Sequence, residues 1–136
     1  FDCHTVSGVS GGVQSTPLLG KVGTDLEGLI IYSIARTPNG SDGMLVAFNT
    51  ETGEKVWEMY MGNYTWSSPA AVYTPEGKAY VVICDSIGNM NLLNGQTGEK
   101  LSTVTLGSNV EASPAVFEDT IVVGTRGQRI FAIQVQ

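Results

Sequence analysis

The chain has 136 residues, 42% of them hydrophobic, so it can bury a core and is too apolar to stay disordered. Its formal charge is −6, with only seven Lys and Arg scattered singly. That leaves no basic stripe for a row of phosphates and no basic cluster for an anionic bilayer, which argues against nucleic acid and lipid headgroups as partners. The longest mostly apolar run, residues 29–35, falls far short of the roughly 18 residues of a helical membrane span, so no direct membrane insertion is expected.

The chain opens on Phe1-Asp2-Cys3-His4, without an initiator Met, a basic leader or a cleavage-site pattern, and is expected to be a piece of something longer. Residues 1–6 read as a strand. Residues 7–12 (Ser-Gly-Val-Ser-Gly-Gly) read as a glycine-rich connector, because they lack the spacing and closing Lys of a phosphate loop and no helical pattern follows. His4 is the one histidine. Neighbouring side chains on a strand point to opposite faces, so Cys3 and His4 cannot share a site. A Ser-His-Asp triad could be built only around His4, and hydrolase chemistry is not expected. Cys3 and Cys84 lie far apart and outside any C-x-x-C spacing; two unpaired thiols are expected.

Four strands, A to D, follow at about 13–19, 29–36, 43–49 and 54–61, with residues 37–42 (Thr-Pro-Asn-Gly-Ser-Asp) as a lengthened surface turn. The pattern then repeats. Residues 66–72 form strand A, the β-branched and almost continuously apolar 78–84 form strand B, 89–94 strand C and 99–106 strand D. A run as apolar as Val81-Val82-Ile83-Cys84 suits a strand buried on both faces. A third copy supplies A at 110–117, B at 120–125 and C at 128–135, and residues 1–6 could stand in for its missing outer strand. Residues 85–99 are rich in oxygen side chains, but the glycine and the closing Glu miss the calcium-loop positions, so they read as turns. Asn39-Gly40-Ser41 and Asn63-Tyr64-Thr65 match the glycosylation acceptor pattern, which carries meaning only in a secreted eukaryotic chain.

Two phrases fix the repeat. Ser15-Thr16-Pro17 returns as Ser67-Ser68-Pro69 and Ala112-Ser113-Pro114, and Thr52-Gly53-Glu54-Lys55 returns as Thr97-Gly98-Glu99-Lys100. Each phrase has a step of 45 residues, from Pro69 to Pro114 and from Thr52 to Thr97, and a period of about 40 to 50 residues built from short strands is the signature of a propeller blade. The expected fold is all-β: a β-propeller of four-stranded antiparallel blades, in one partial domain over 1–136. Blade 1 spans about 13–61, blade 2 about 65–106 and blade 3 about 110–136. Propellers have four to eight blades. Three blades therefore imply further ones, from a second copy in a dimer of about six blades or from a longer parent.

The segment from Ala47 to Trp57 (Ala-Phe-Asn-Thr-Glu-Thr-Gly-Glu-Lys-Val-Trp) resembles the blade motif of the pyrroloquinoline quinone (PQQ)-like propeller family, Ala-x-Asp-x-x-Thr-Gly-x-x-x-Trp. Ala47, Thr52, Gly53 and Trp57 match, Asn49 takes the acidic position, and Thr97 and Gly98 repeat the turn. The resemblance implies that the Trp packs between neighbouring blades and that the Thr-Gly turn joins strands C and D. In the second copy Leu92 stands at the position of Ala47 and Ser102 at that of Trp57. Quinoprotein dehydrogenases of the family carry a vicinal Cys-Cys, an acidic base and a calcium set, and this sequence has no Cys-Cys. The chain looks more like the non-catalytic envelope members, among them outer-membrane assembly propellers that dock proteins. The reading is thus a protein- or glycan-binding scaffold of a secreted or envelope protein, with no cofactor and no metal. The alternative is a fragment of a PQQ-dependent dehydrogenase, which would take PQQ and calcium. Candidate binding residues are those at the starts of the A strands, which converge on the propeller axis: Gln14, Ser15, Thr65, Trp66, Ser67, Asn109 and Glu111. Trp66 is expected to pack between blades, the other possibility being an exposed aromatic platform.

Overall fold

The computed structural model describes residues 11–37 and 42–136. Residues 1–6, Cys3 and His4, most of the glycine-rich connector and the middle of the lengthened turn lie outside the described residues. There are eleven strands among the described residues: β1 (Leu18–Leu19), β2 (Leu29–Ile34), β3 (Met44–Asn49), β4 (Lys55–Tyr60), β5 (Ala70–Tyr73), β6 (Ala79–Cys84), β7 (Asn89–Asn94), β8 (Lys100–Thr105), β9 (Ala115–Phe117), β10 (Thr120–Thr125) and β11 (Arg129–Gln134). They form three antiparallel meanders: β1-β2-β3-β4, β5-β6-β7-β8 and β9-β10-β11.

The inner strands are shorter than the sequence pattern suggests. β1, β5 and β9 each begin just after Pro17, Pro69 and Pro114, since proline has no N–H to give to a ladder. The residues before Pro17 and Pro69 turn their backbone sideways. Thr16 N–H donates to Ser68 Oγ (3.0 Å), and Ser68 N–H donates to Ser113 Oγ (2.9 Å). The Ser-x-Pro phrase is therefore a hydrogen-bonded relay from blade to blade, and Thr65 N–H adds a second link to the Ala35 carbonyl of blade 1 (3.1 Å).

Both faces of β6 are covered, as its apolar run requires: Ala79 and Val81 to Cys84 are all buried. One face joins Leu29, Ile31, Leu45, Ala47 and Trp57 of blade 1, and the other joins Ile121 and Val123 of blade 3. Leu26, fully buried between blades 1 and 2, comes from the loop joining β1 to β2, where no periodicity marks it. Asp25 beside it ties that loop to blade 2: its N–H donates to Gly77 O (2.8 Å), and Oδ1 accepts from the Gln96 side chain (3.1 Å). The lengthened turn also has its place. The six-position step from Cys84 to its partner Met90 in blade 2 becomes twelve, from Ser33 to Leu45, in blade 1.

The two C–D turns are copies. Asn49 Oδ1 accepts from Glu51 N–H and Thr52 N–H (both 2.9 Å), as Asn94 Oδ1 accepts from Gln96 N–H (2.9 Å) and Thr97 N–H (3.2 Å). Gly53 and Gly98 close the turns at φ +72°. Trp57 links blade 1 to the second of these turns: its Nε1 donates to Gly95 O (3.0 Å), and its ring lies so near Gly98 that an added Cβ would stand 2.5 Å from it. The two glycines thus share a backbone strain, and only Gly98 carries the ring contact as well. Gly53→Ala should cost about 1 kcal/mol from the left-handed backbone alone. Gly98→Ala should cost about 1 to 3 kcal/mol more by pushing Trp57 out of its seat. Urea melts of the two variants side by side check this; equal losses would mean that Trp57 is not held as described.

Candidate functional site

One end of the blades is built from the connectors that lead from one blade to the next and from the corners between second and third strands. In the connector from β4 to β5 side chains alternate. Thr65 turns inward, where its Oγ1 donates to Cys84 O (2.7 Å) and accepts from Ser67 N–H (3.1 Å). Tyr64 and Trp66 turn outward and form a tilted pair with ring centroids 5.4 Å apart. From the corner after β2, Arg36 lays its guanidinium over the Tyr64 ring, 4.7 Å from its centroid. Trp66 remains 40% exposed rather than packed between blades. The product is a cation–aromatic–aromatic stack at the surface.

The corner after β6 supports it. Ser86 N–H donates to Tyr64 O (2.9 Å). Asp85 is buried, and both its oxygens are engaged: Oδ1 accepts from Ile87 N–H (3.1 Å) and Asn89 N–H (2.9 Å), and Oδ2 from the side chains of Asn89 (2.9 Å) and Asn63 (3.4 Å). That carboxylate fixes the corner to the same connector. Exposed Ile87 extends the surface, and the buried hydroxyls of Thr37 and Ser86 make no hydrogen bond among the described residues.

The residues expected at the axial mouth do not form one cluster of free polar groups. Thr65 and Ser67 are buried and committed to the backbone. Ser15 Oγ donates to Ser33 O (3.3 Å). The Asn109 carbonyl accepts from Arg126 N–H (2.9 Å), and Glu111 pairs with the Arg126 guanidinium (2.9 Å) on the surface, where such pairs contribute little. Gln14 and Trp66 are exposed. Arg36 and Tyr64, which complete the stack, were not signalled by the repeat; the Tyr64-x-Trp66 spacing, which puts both rings on one side of an extended segment, is the clue they offered. Among the described residues no three His, Cys, Asp or Glu side chains gather as a metal site.

These features define a β-propeller segment with an exposed aromatic stack at one end. The chain belongs to the family described as outer membrane protein assembly factor BamB, whose model matches residues 41–136. Among solved structures it is similar to BamB from Moraxella catarrhalis, at 17% identity and a TM-score of 0.60, covering 91% of this chain and 45% of that one. It is also similar to the C-terminal WD40 domain of Sif2, at 16% identity and a TM-score of 0.65, covering 96% of this chain and 33% of that one. A curated relative, the beta-alanine-activating enzyme of Danio rerio, is 24% identical over 113 aligned residues, with 75% of this chain and 10% of that protein covered. The chain thus spans a tenth of that relative and under half of the BamB structure.

Cys84, at the edge of this site, is a free and buried thiol. Burial first, and then the neighbouring Asp85 charge, push its pKa from 9.0 up to about 12. The proton is held more tightly in the folded state than in the unfolded one. Its contribution to stability is therefore complete below pH 9.0 and is lost as pH rises towards about 12. Urea melts at about pH 7 and about pH 10.5 should differ by up to about 2 kcal/mol through this group, and that share should vanish in Cys84→Ala. An equal pH response in both proteins would contradict the assignment.

Proposed function

We propose that this chain is a non-catalytic propeller segment of a secreted or envelope-associated protein, and that it docks a protein or glycan partner on the end bearing Arg36, Tyr64 and Trp66. The observation that carries the reading is the exposed stack itself, on a scaffold whose other candidate hydroxyls are spent on the backbone. Rigid aromatic faces beside a guanidinium suit stacking on a sugar ring or a peptide side chain, and such groups dominate binding energy at interfaces. The family's description as an outer membrane assembly factor supports the envelope setting. No observation favours PQQ- and calcium-dependent oxidation.

The same proposal includes further blades. The outer face of blade 3 carries Ala115, Phe117, Val122, Ile130 and Ala132, all exposed, with Phe117 at 74% and Ile130 at 81%. Cross-strand registers make these the counterparts of Ala70, Val72, Val82, Met90 and Leu92 in blade 2. Four of those five, Val72, Val82, Met90 and Leu92, pack against blade 3. An apolar face built on that pattern is a blade–blade interface, and in the isolated chain a second copy covers it.

Light scattering behind size exclusion should give the mass of a dimer for the 136-residue chain; a stable, soluble monomer would overturn the assembly. Glycan arrays and peptide libraries screened with the chain should return a ligand whose affinity falls about thirtyfold in Trp66→Ala at unchanged melting temperature. Turnover of an alcohol or aldehyde with added quinone and calcium would overturn the scaffold reading.

A further inference from the structure

Given the docking role proposed for the end that bears Arg36, Tyr64 and Trp66, we infer that its partner is an extended protein segment. That segment sets a carboxylate against Arg36 and, two residues along, a large apolar side chain against Trp66. Arg36 carries the first half. Its guanidinium lies 4.7 Å from the centre of the Tyr64 ring, so its face is spent on the ring while its in-plane N–H donors stay at the rim. A planar fork of that kind matches the two oxygens of a carboxylate. Among the described residues the ion pairs are Lys55–Glu58 and Arg126–Glu111, and neither involves Arg36.

The next connector shows the same end with a carboxylate already supplied. Trp66 and Glu111 each stand three residues before the proline of their unit. Glu111 pairs with the Arg126 guanidinium (2.9 Å), and the Arg126 N–H is tied to the Asn109 carbonyl, so that arginine is satisfied within the chain. One connector earlier an indole takes the place of the acid, and the neighbouring cation is left for a partner's carboxylate.

Trp66 carries the apolar half. Exposed Ile87 adds to it, one residue beyond the Ser86 N–H that donates to the Tyr64 carbonyl. The Tyr64 and Trp66 rings are inclined at 54° with centroids 5.4 Å apart, so they make a notch for a side chain rather than a level platform for consecutive sugar rings. Alternate side chains of an extended segment project from one side about 7 Å apart, a spacing that reaches from the rim of Arg36 across Tyr64 to Trp66.

Random heptapeptides displayed on phage and panned on the 136-residue chain should enrich Asp or Glu two positions from Leu, Phe or Trp, and Arg36→Gln should lose that pattern at unchanged melting temperature. The enriched peptide should shift the Trp66 indole N–H resonance on titration. Its analogue with the acid replaced by the amide should bind the chain about tenfold more weakly, and the two peptides should bind Arg36→Gln alike. Arg36→Lys, which keeps the charge without the planar fork, should weaken the acid peptide about fivefold. Equal affinity for acid and amide, with both lost in Trp66→Ala, would overturn the carboxylate and leave the docking face standing. Binding of a galacturonate trisaccharide where no peptide binds would overturn the protein segment in favour of a glycan. A Trp66 resonance moved by neither peptides nor oligosaccharides would overturn the docking face itself.

Discussion

A blade of this kind cannot stand by itself, because its middle strands are apolar on both faces. β6 shows the constraint most fully: Ala79 and the run Val81, Val82, Ile83 and Cys84 are buried, so both faces of that strand are covered. A sheet with two such faces needs a neighbour on each side, and the rest of the structure follows from supplying them. Trp57 and Leu26 close the first junction, and Ile121 and Val123 close the second. Trp57 has the larger reach, since it joins an outer strand of one blade to the outer turn of the next.

Function enters where this packing leaves side chains over. The connector from β4 to β5 must supply inward groups that hold the blade ends together, and Thr65 does so. Its neighbours Tyr64 and Trp66 are then directed outward by alternation alone, and Arg36 from the preceding blade completes the surface. An exposed cation–aromatic surface thus arises at a seam between blades, with each blade contributing part of it. That division lets loops vary on a scaffold whose core stays fixed, and it is why the fold by itself does not name the partner.

The strand series, the three units and the turn chemistry were legible in the sequence because they are local. Asn49, Thr52 and Gly53 act on backbone within five residues, and the copy at Asn94, Thr97 and Gly98 repeats these contacts and adds the one to Trp57. Features that cross between blades were not legible. The inner strands read too long because the N–H groups before Pro17 and Pro69 donate to the next blade, which no periodicity records. Leu26 escaped notice in an aperiodic loop, and the exposure of Trp66 was misjudged because an aromatic at a strand start suits both a seam and a surface. Arg36 meets Tyr64 only through folding, from a different repeat.

The relay through Thr16, Ser68 and Ser113 has a direction. The N–H groups of Thr16 and Ser68 donate to the blade that follows, and the hydroxyls of Ser68 and Ser113 accept from the blade before, so the two sides of a blade are chemically different ends. Two copies meeting through identical faces would set donor against donor and break the sequence. Association that continues the relay must be head-to-tail, which either closes on itself as a ring or grows without limit. The rotation from one blade to the next then decides between them, and the number of copies is set by an angle rather than by the strength of any single contact.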